Sequence, residues 1–148
     1  GIDERMKMCS IKIDEELLGS DEGIEVINTI LKKHNVPERA LSLLMMQRSL
    51  DAPVGGPFNI AQYGVLAHVL AHITGMVAEE FIHVGGDCHA YLDQLELVEE
   101  QLQREPYENT AKILLNPKVK EIDDFTFEDI KIVGYNEYHE SIKYPVAV

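Results

Sequence analysis

Residues 47–59, QRSLDAPVGGPFN, bring four side chains able to do chemistry into one short stretch. Arg48 offers a permanent charge and a planar fork of donors, a geometry suited to phosphate or carboxylate. Ser49 adds a hydroxyl, Asp51 an acceptor-only carboxylate, and Asn59 an amide that donates and accepts. An apolar run, ALSLLMM, leads into them, and a loop holding two prolines and two glycines follows Asp51. A plain turn needs neither that charge nor so much constrained backbone, so the segment reads as a site. A second cluster, DCHAY over residues 87–91, follows a Gly-Gly pair. His89 and Tyr91, two apart on extended backbone, share a face and can both hydrogen-bond a hydroxylated ligand. Polar groups serving a strand end are the plainer reading of the same pair.

Other candidates carry less. His68 and His72 stand four apart on a helical pattern, a spacing that can share a metal, but no glutamate lies beside them as a metalloprotease requires. Packed core histidines are the better reading, and no metal is expected. The acid-rich stretch 121–129 lacks the alternating oxygen ligands and the glycine of a calcium loop and reads as solvated surface. Cys9 would become a nucleophile only beside a cation that holds its thiolate; a lone small cysteine is otherwise structural.

These side chains need elements to hold them. Residues 8–14 read as a short strand. Residues 21–34, DEGIEVINTILKKH, read as a helix with Ser20 as N-cap, an apolar stripe of Ile24, Ile27, Ile30 and Leu31, and a stop at Asn35 and Pro37. Residues 40–47 lack alternation, as a strand covered on both faces does. Residues 59–74 read as a long buried helix ended by Gly75, and 81–84 as a strand. Leu92, Leu95, Val98 and Leu102 line one face of an amphipathic helix over 92–104. AKILL and IKIVGY read as two further strands. Strands alternating with helices imply one α/β (α+β) domain over residues 1–148, built on a mixed sheet.

The bulk properties narrow the partners. The formal charge of −13 sets the overall field against nucleic acid and anionic membrane, while a local basic pocket can still take an anionic small molecule. No apolar stretch has the length of a membrane span, and the first ten residues lack a signal-peptide core. Cys9 and Cys88 show no disulfide or zinc spacing, so a reducing, cytoplasmic setting is expected.

QRSLD, GGPFNIAQYGVLAHVLAHITG, FIHVGGDCHAYLDQLELVEEQLQREP and IVGYNEYHESIKYPVAV, in that order, closely resemble the thymidylate synthase family, from Leu41 to Val148. The resemblance implies a thymidylate synthase-like mixed sheet with packed helices, the N-terminal part of the family fold being missing from these residues. It implies reductive methylation of dUMP to dTMP, with 5,10-methylenetetrahydrofolate as co-substrate and a cysteine thiolate added to C6. It further implies that Arg48 reaches the nucleotide phosphate and the thiolate, that Ser49 adds a hydroxyl to the phosphate, and that Asn59 reads the uracil edge. His89 and Tyr91 would hold the deoxyribose hydroxyl. Asp51 and Gly55 would face the folate, and Val148 would end the segment that closes over both ligands. A homodimer formed sheet to sheet is implied as well.

The chain departs from the family upstream. The N-terminal half and the arginine pair lent to a partner's phosphate site have no counterpart in these residues, so a separate N-terminal fragment is one conceivable partner. The family's nucleophile lies in a Pro-Cys-His context, whereas Cys9 stands between Met8 and Ser10, further from Gln47 than the family interval. If Cys9 is the nucleophile, residues 19–39 are a helical insertion. If the usual interval holds, Asn28 falls at the position and no nucleophile is present. Two alternatives therefore stand beside the synthase: a noncatalytic nucleotide-binding or dimer-forming remnant, and a deoxycytidylate hydroxymethylase, against which Asn59 argues because aspartate pairs better with cytosine.

Overall fold

The computed structural model describes residues 19–108, 111–135 and 138–146. Cys9, the strand expected over 8–14, and Val148 lie outside the described residues. Helix α1, Asp21–Lys33, begins where Ser20 accepts the Gly23 N–H at 3.1 Å, with Asp21 and Glu22 in its first turn and Lys32 and Lys33 in its last. Both ends thus complement the helix dipole. Asn35 adopts the left-handed conformation, φ 54°, and the amides of Asn35 and Val36 donate to the carbonyls of Lys32 and Leu31. This double bond pattern satisfies carbonyls that the helix end would leave bare. Ile27, Leu31 and Val36 are buried, each worth about 1.5–3 kcal/mol of apolar burial.

Strand β1, Ala40–Asp51, helix α2, Gly55–Ile73, and strand β2, Val77–His89, form a βαβ unit. The strands are parallel, with Leu43 beside Phe81, Gln47 beside Gly85 and Asp51 beside His89. Parallel neighbours need a long crossover, and α2 supplies it. The helix starts four residues before the expected Asn59, taking in Gly55, Gly56, Pro57 and Phe58. Pro57 is tolerated there because the N–H groups of a first turn have no partner in the helix anyway. At the other end Gly75, φ 63°, repeats the α1 stop, with Met76 N–H donating to Ala71 O at 2.7 Å.

The two-sided burial expected of β1 is not found. Its pattern alternates: Leu41, Leu43, Met45 and Gln47 are half-buried, while Leu44 is 57% and Met46 78% exposed. Ile82 and Val84, beside them in register on β2, are also exposed. One face of the pair is covered by α2; the other is apolar and open in this chain.

After a 3₁₀ turn, Leu92–Gln94, helix α3 runs Leu95–Leu102, shorter than the sequence pattern suggests. None of its residues is buried, and Leu102 is largely exposed, so its apolar stripe is not a core face within this chain. Strands β3, Lys112–Leu115, and β4, Ile130–Val133, pair antiparallel as a second two-stranded sheet. The architecture is therefore mixed α/β, with one parallel and one antiparallel pair. The acidic connection folds as two short 3₁₀ turns. There Asp129 accepts from the Asn116 amide at 2.6 Å and from the Thr126 hydroxyl and N–H at 2.7 and 3.0 Å, and these bonds hold its carboxyl below the ordinary 3.8. His72 reaches Val119 O at 2.8 Å and meets the Phe125 ring edge-on, tying α2 to this sheet. His68, expected in the core, is instead exposed, though its partial cover lowers the imidazole pKa below 6.5 through desolvation.

Candidate active site

The parallel register carries the sequence-separated candidates to one edge. Ser49 lies beside Asp87 and Asp51 beside His89, with the Ala52 N–H donating to His89 O at 2.8 Å. The approach is close: a methyl group on Gly86 would stand 2.9 Å from the Arg48 carbonyl oxygen. The Gly-Gly pair before DCHAY therefore lets β2 pass β1 at the site.

Asn59 projects from the first turns of α2 and is fixed by Gln47 on the facing strand. Gln47 Nε2 donates to Asn59 Oδ1 at 2.9 Å and to the Ser49 carbonyl at 3.0 Å, while Gln47 Oε1 lies 3.0 Å from His83 Nε2. His83 stacks on Phe81, and Phe81 on Tyr63. The chain of bonds assigns the Asn59 amide: its oxygen faces Gln47, so its NH₂ is left for a ligand. Sequence reading had passed over Gln47 and His83; the available signal was a glutamine interrupting an apolar strand.

Asp51 is held at both oxygens. Oδ1 accepts the Val54 N–H at 3.3 Å, and Oδ2 accepts Gln94 Nε2 at 3.3 Å. Gly55 lies between Asp51 and Asn59; a methyl there would sit 3.6 Å from Asn59 Oδ1. His89 and Tyr91 meet edge to face, ring centres 5.3 Å apart. His89 Nδ1 is buried without a hydrogen-bond partner among the described residues, and Asp87 Oδ1, at 3.6 Å, is just out of reach.

Arg48 and Ser49 are exposed. The Arg48 side chain makes no hydrogen bond or ion pair among the described residues, and strand alternation sets it with Leu44 and Met46, opposite Gln47. The structure thus bonds Gln47 to Asn59, sets Gly55 between Asn59 and Asp51, and puts His89 and Tyr91 at the adjoining strand end. Arg48 stays apart from that bonded group. Beside the Asp51 loop opens a cleft of about 610 Å³, whose lining includes the apolar Val54 and Phe58 and the charged or polar Arg104, Glu105, His139 and Lys143. Its size is that of a small-molecule site.

Residues 27–148 match the thymidylate synthase family. A thymidylate synthase from Mycoplasma mobile is 51% identical over 113 residues, covering 76% of this chain and 38% of the relative. The fold superposes on thermostable thymidylate synthase A from Bacillus subtilis with a TM-score of 0.66 at 34% identity, over 73% of this chain and 38% of that one. The chain therefore spans less than half the length of the relatives it matches. On sequence and fold together, it belongs to the thymidylate synthase family.

Proposed function

We propose that this chain supplies the uracil, deoxyribose and folate walls of a dUMP-methylating site, in an assembly completed by an N-terminal portion of the family fold. The observation that carries the reading is the Gln47–Asn59 bond, which occupies the Asn59 oxygen and leaves its NH₂ as a donor suited to a C4 carbonyl. We assign His89 and Tyr91 to the sugar hydroxyl, Asp51 and Gly55 to the folate, and Ser49 and Arg48 to the phosphate, Arg48 from the strand face opposite Gln47. The Val54 and Phe58 lining of the cleft suits the folate's aromatic rings. Val148 ends the segment that closes over both ligands.

In the reaction, Cys9 thiolate adds to C6 of dUMP, and C5 becomes the carbon nucleophile that takes the methylene carbon from methylenetetrahydrofolate. Loss of the C5 proton and of tetrahydrofolate leaves an exocyclic methylene. Hydride from tetrahydrofolate reduces it as the thiolate departs, giving dTMP and dihydrofolate. Dividing one hard substitution into additions and eliminations is what a covalent nucleophile provides. Under this reading residues 19–39 are an insertion between Cys9 and β1, the setting is cytoplasmic, and two copies join through the open face of Leu44, Met46, Ile82 and Val84, an apolar patch of the obligate-interface type.

A noncatalytic nucleotide-binding role is the second reading. The observation favouring it is that the family match begins at residue 27, beyond Cys9, so that Asn28 stands near the nucleophile's usual interval. Incubating the chain and its N-terminal portion with 5-fluoro-dUMP and methylenetetrahydrofolate separates the two. A mass increase on the peptide carrying Cys9, lost in Cys9→Ser, is expected for the synthase; nucleotide binding without an adduct gives the second reading.

A further inference from the structure

Gln94 is completely buried, although it closes an otherwise exposed 3₁₀ turn and belongs to no apolar stripe. Its amide is almost fully used. Nε2 donates to Asp51 Oδ2 at 3.3 Å and to the Pro145 carbonyl at 3.2 Å, and Oε1 accepts the Tyr91 N–H at 3.0 Å. Turning the amide over would face its oxygen to two acceptors and its NH₂ to a donor, so the partners fix one orientation. The segment that Gln94 grips lies along α3. The Tyr144 hydroxyl reaches Gln101 Oε1 at 2.6 Å and Leu97 O at 3.2 Å, and Arg104 donates to Glu140 O at 2.6 Å.

We propose that Gln94 is a positioning residue that clamps the C-terminal segment to the Asp51 carboxylate and to the backbone of Tyr91. One side chain so couples the folate side of the site, the segment over the cleft, and the nucleotide side. With Gln94 and the Val54 N–H holding one lone pair on each Asp51 oxygen, the carboxylate is locked in one rotamer with its remaining lone pairs free for a ligand. The identity of that ligand rests on the folate reading; the clamp does not.

Two variants and the unmodified chain test it. Trypsin cuts after Lys143, inside the clamped segment, and after Lys118, in the β3–β4 connection, which reports general loosening. The Lys143-to-Lys118 cleavage ratio of the unmodified chain is the reference, since the Lys118–Val119 bond has hydrogen bonds of its own that do not involve Gln94. Gln94→Met keeps the volume and removes every bond, and should raise the Lys143-to-Lys118 ratio about tenfold. Gln94→Glu keeps the acceptor for Tyr91 N–H but turns both donors into an acceptor facing Asp51 and Pro145 O, and should raise the ratio likewise. An unchanged ratio in the variants, whether neither site or both sites are accelerated equally, overturns the clamp. In the assembly with the N-terminal portion, Gln94→Glu, which keeps the Tyr91 bond, should raise the KM for methylenetetrahydrofolate about tenfold while dUMP affinity holds. A changed ratio with an unchanged folate KM overturns the coupling to the ligand. An unmodified assembly that binds no folate removes the ligand assignment, and the trypsin ratios still decide the clamp.

Discussion

Asn59→Asp isolates the base-reading role, because the structure lets the exchange occur with little disturbance around it. Asn59 Oδ1 already accepts from Gln47 Nε2 at 2.9 Å, and an aspartate oxygen at the same place accepts that bond equally well. The only atom that changes character is the outward one, where an NH₂ donor becomes a carboxylate oxygen. Against uracil, a donor to the C4 carbonyl is lost and two acceptors oppose each other, costing about 1–3 kcal/mol. Against cytosine, the 4-amino group gains a charged acceptor, worth about 1.5–3 kcal/mol. Asn59 is only half-buried, so water screens part of both effects, and a combined shift of about 1.5–3 kcal/mol is the reasonable expectation. The dCMP-to-dUMP affinity ratio should then rise about ten- to a hundredfold. Calorimetric titration of both nucleotides on parent and variant, in the same assembly and at neutral pH, reads it. An unchanged ratio, or equal weakening of both nucleotides, would show that Asn59 serves only to hold Gln47 and does not read the base.

Met46→Lys puts a charge at the centre of the open apolar face and should weaken self-association by about 3 kcal/mol, roughly a hundredfold, as seen by sedimentation over a concentration series; an unaltered dimer would place the interface elsewhere. Gly86→Ala sets a methyl 2.9 Å from the Arg48 carbonyl, which the strand cannot easily move, and should lower the melting temperature by several degrees, about 1–3 kcal/mol of overpacking. A variant as stable as the parent would contradict the close approach. Asp129 has a depressed carboxyl pKa, so its contribution is present above the unfolded value near 3.8 and fades as pH falls through the lower folded value. Asn116→Ala should raise that pKa and move acid loss of the β3–β4 pair to higher pH, measured by carboxyl-carbon NMR; a titration identical to the parent's would refute the bonding scheme.

The local chemistry of the helices was legible in the residues themselves. Ser20, Asn35 and Gly75 act where they stand, through a side-chain acceptor or a left-handed backbone within a few residues, and short-range sterics decide such features. The family motifs were legible for a related reason: QRSLD, GGPFN and GDCHAY each pack several chemically specific residues into a few positions. The start of α2 was misread because Gly55–Phe58 looks like a loop, and only the geometry of a first turn shows that proline and glycine cost little there. The open face of β1 was misread because an apolar strand with one face covered by α2 and the other left open has the same composition as one covered on both faces within its own chain. Tertiary structure alone decided which amide serves which group. Gln47 meets Asn59, and Gln94 meets Asp51 and Pro145, across 12, 43 and 51 positions of chain. No periodicity or propensity carries that information. Hydrogen-bond partners of a buried amide are set by distance in space, and the parallel register of β1 and β2 together with the return of the C-terminal segment fixes those distances.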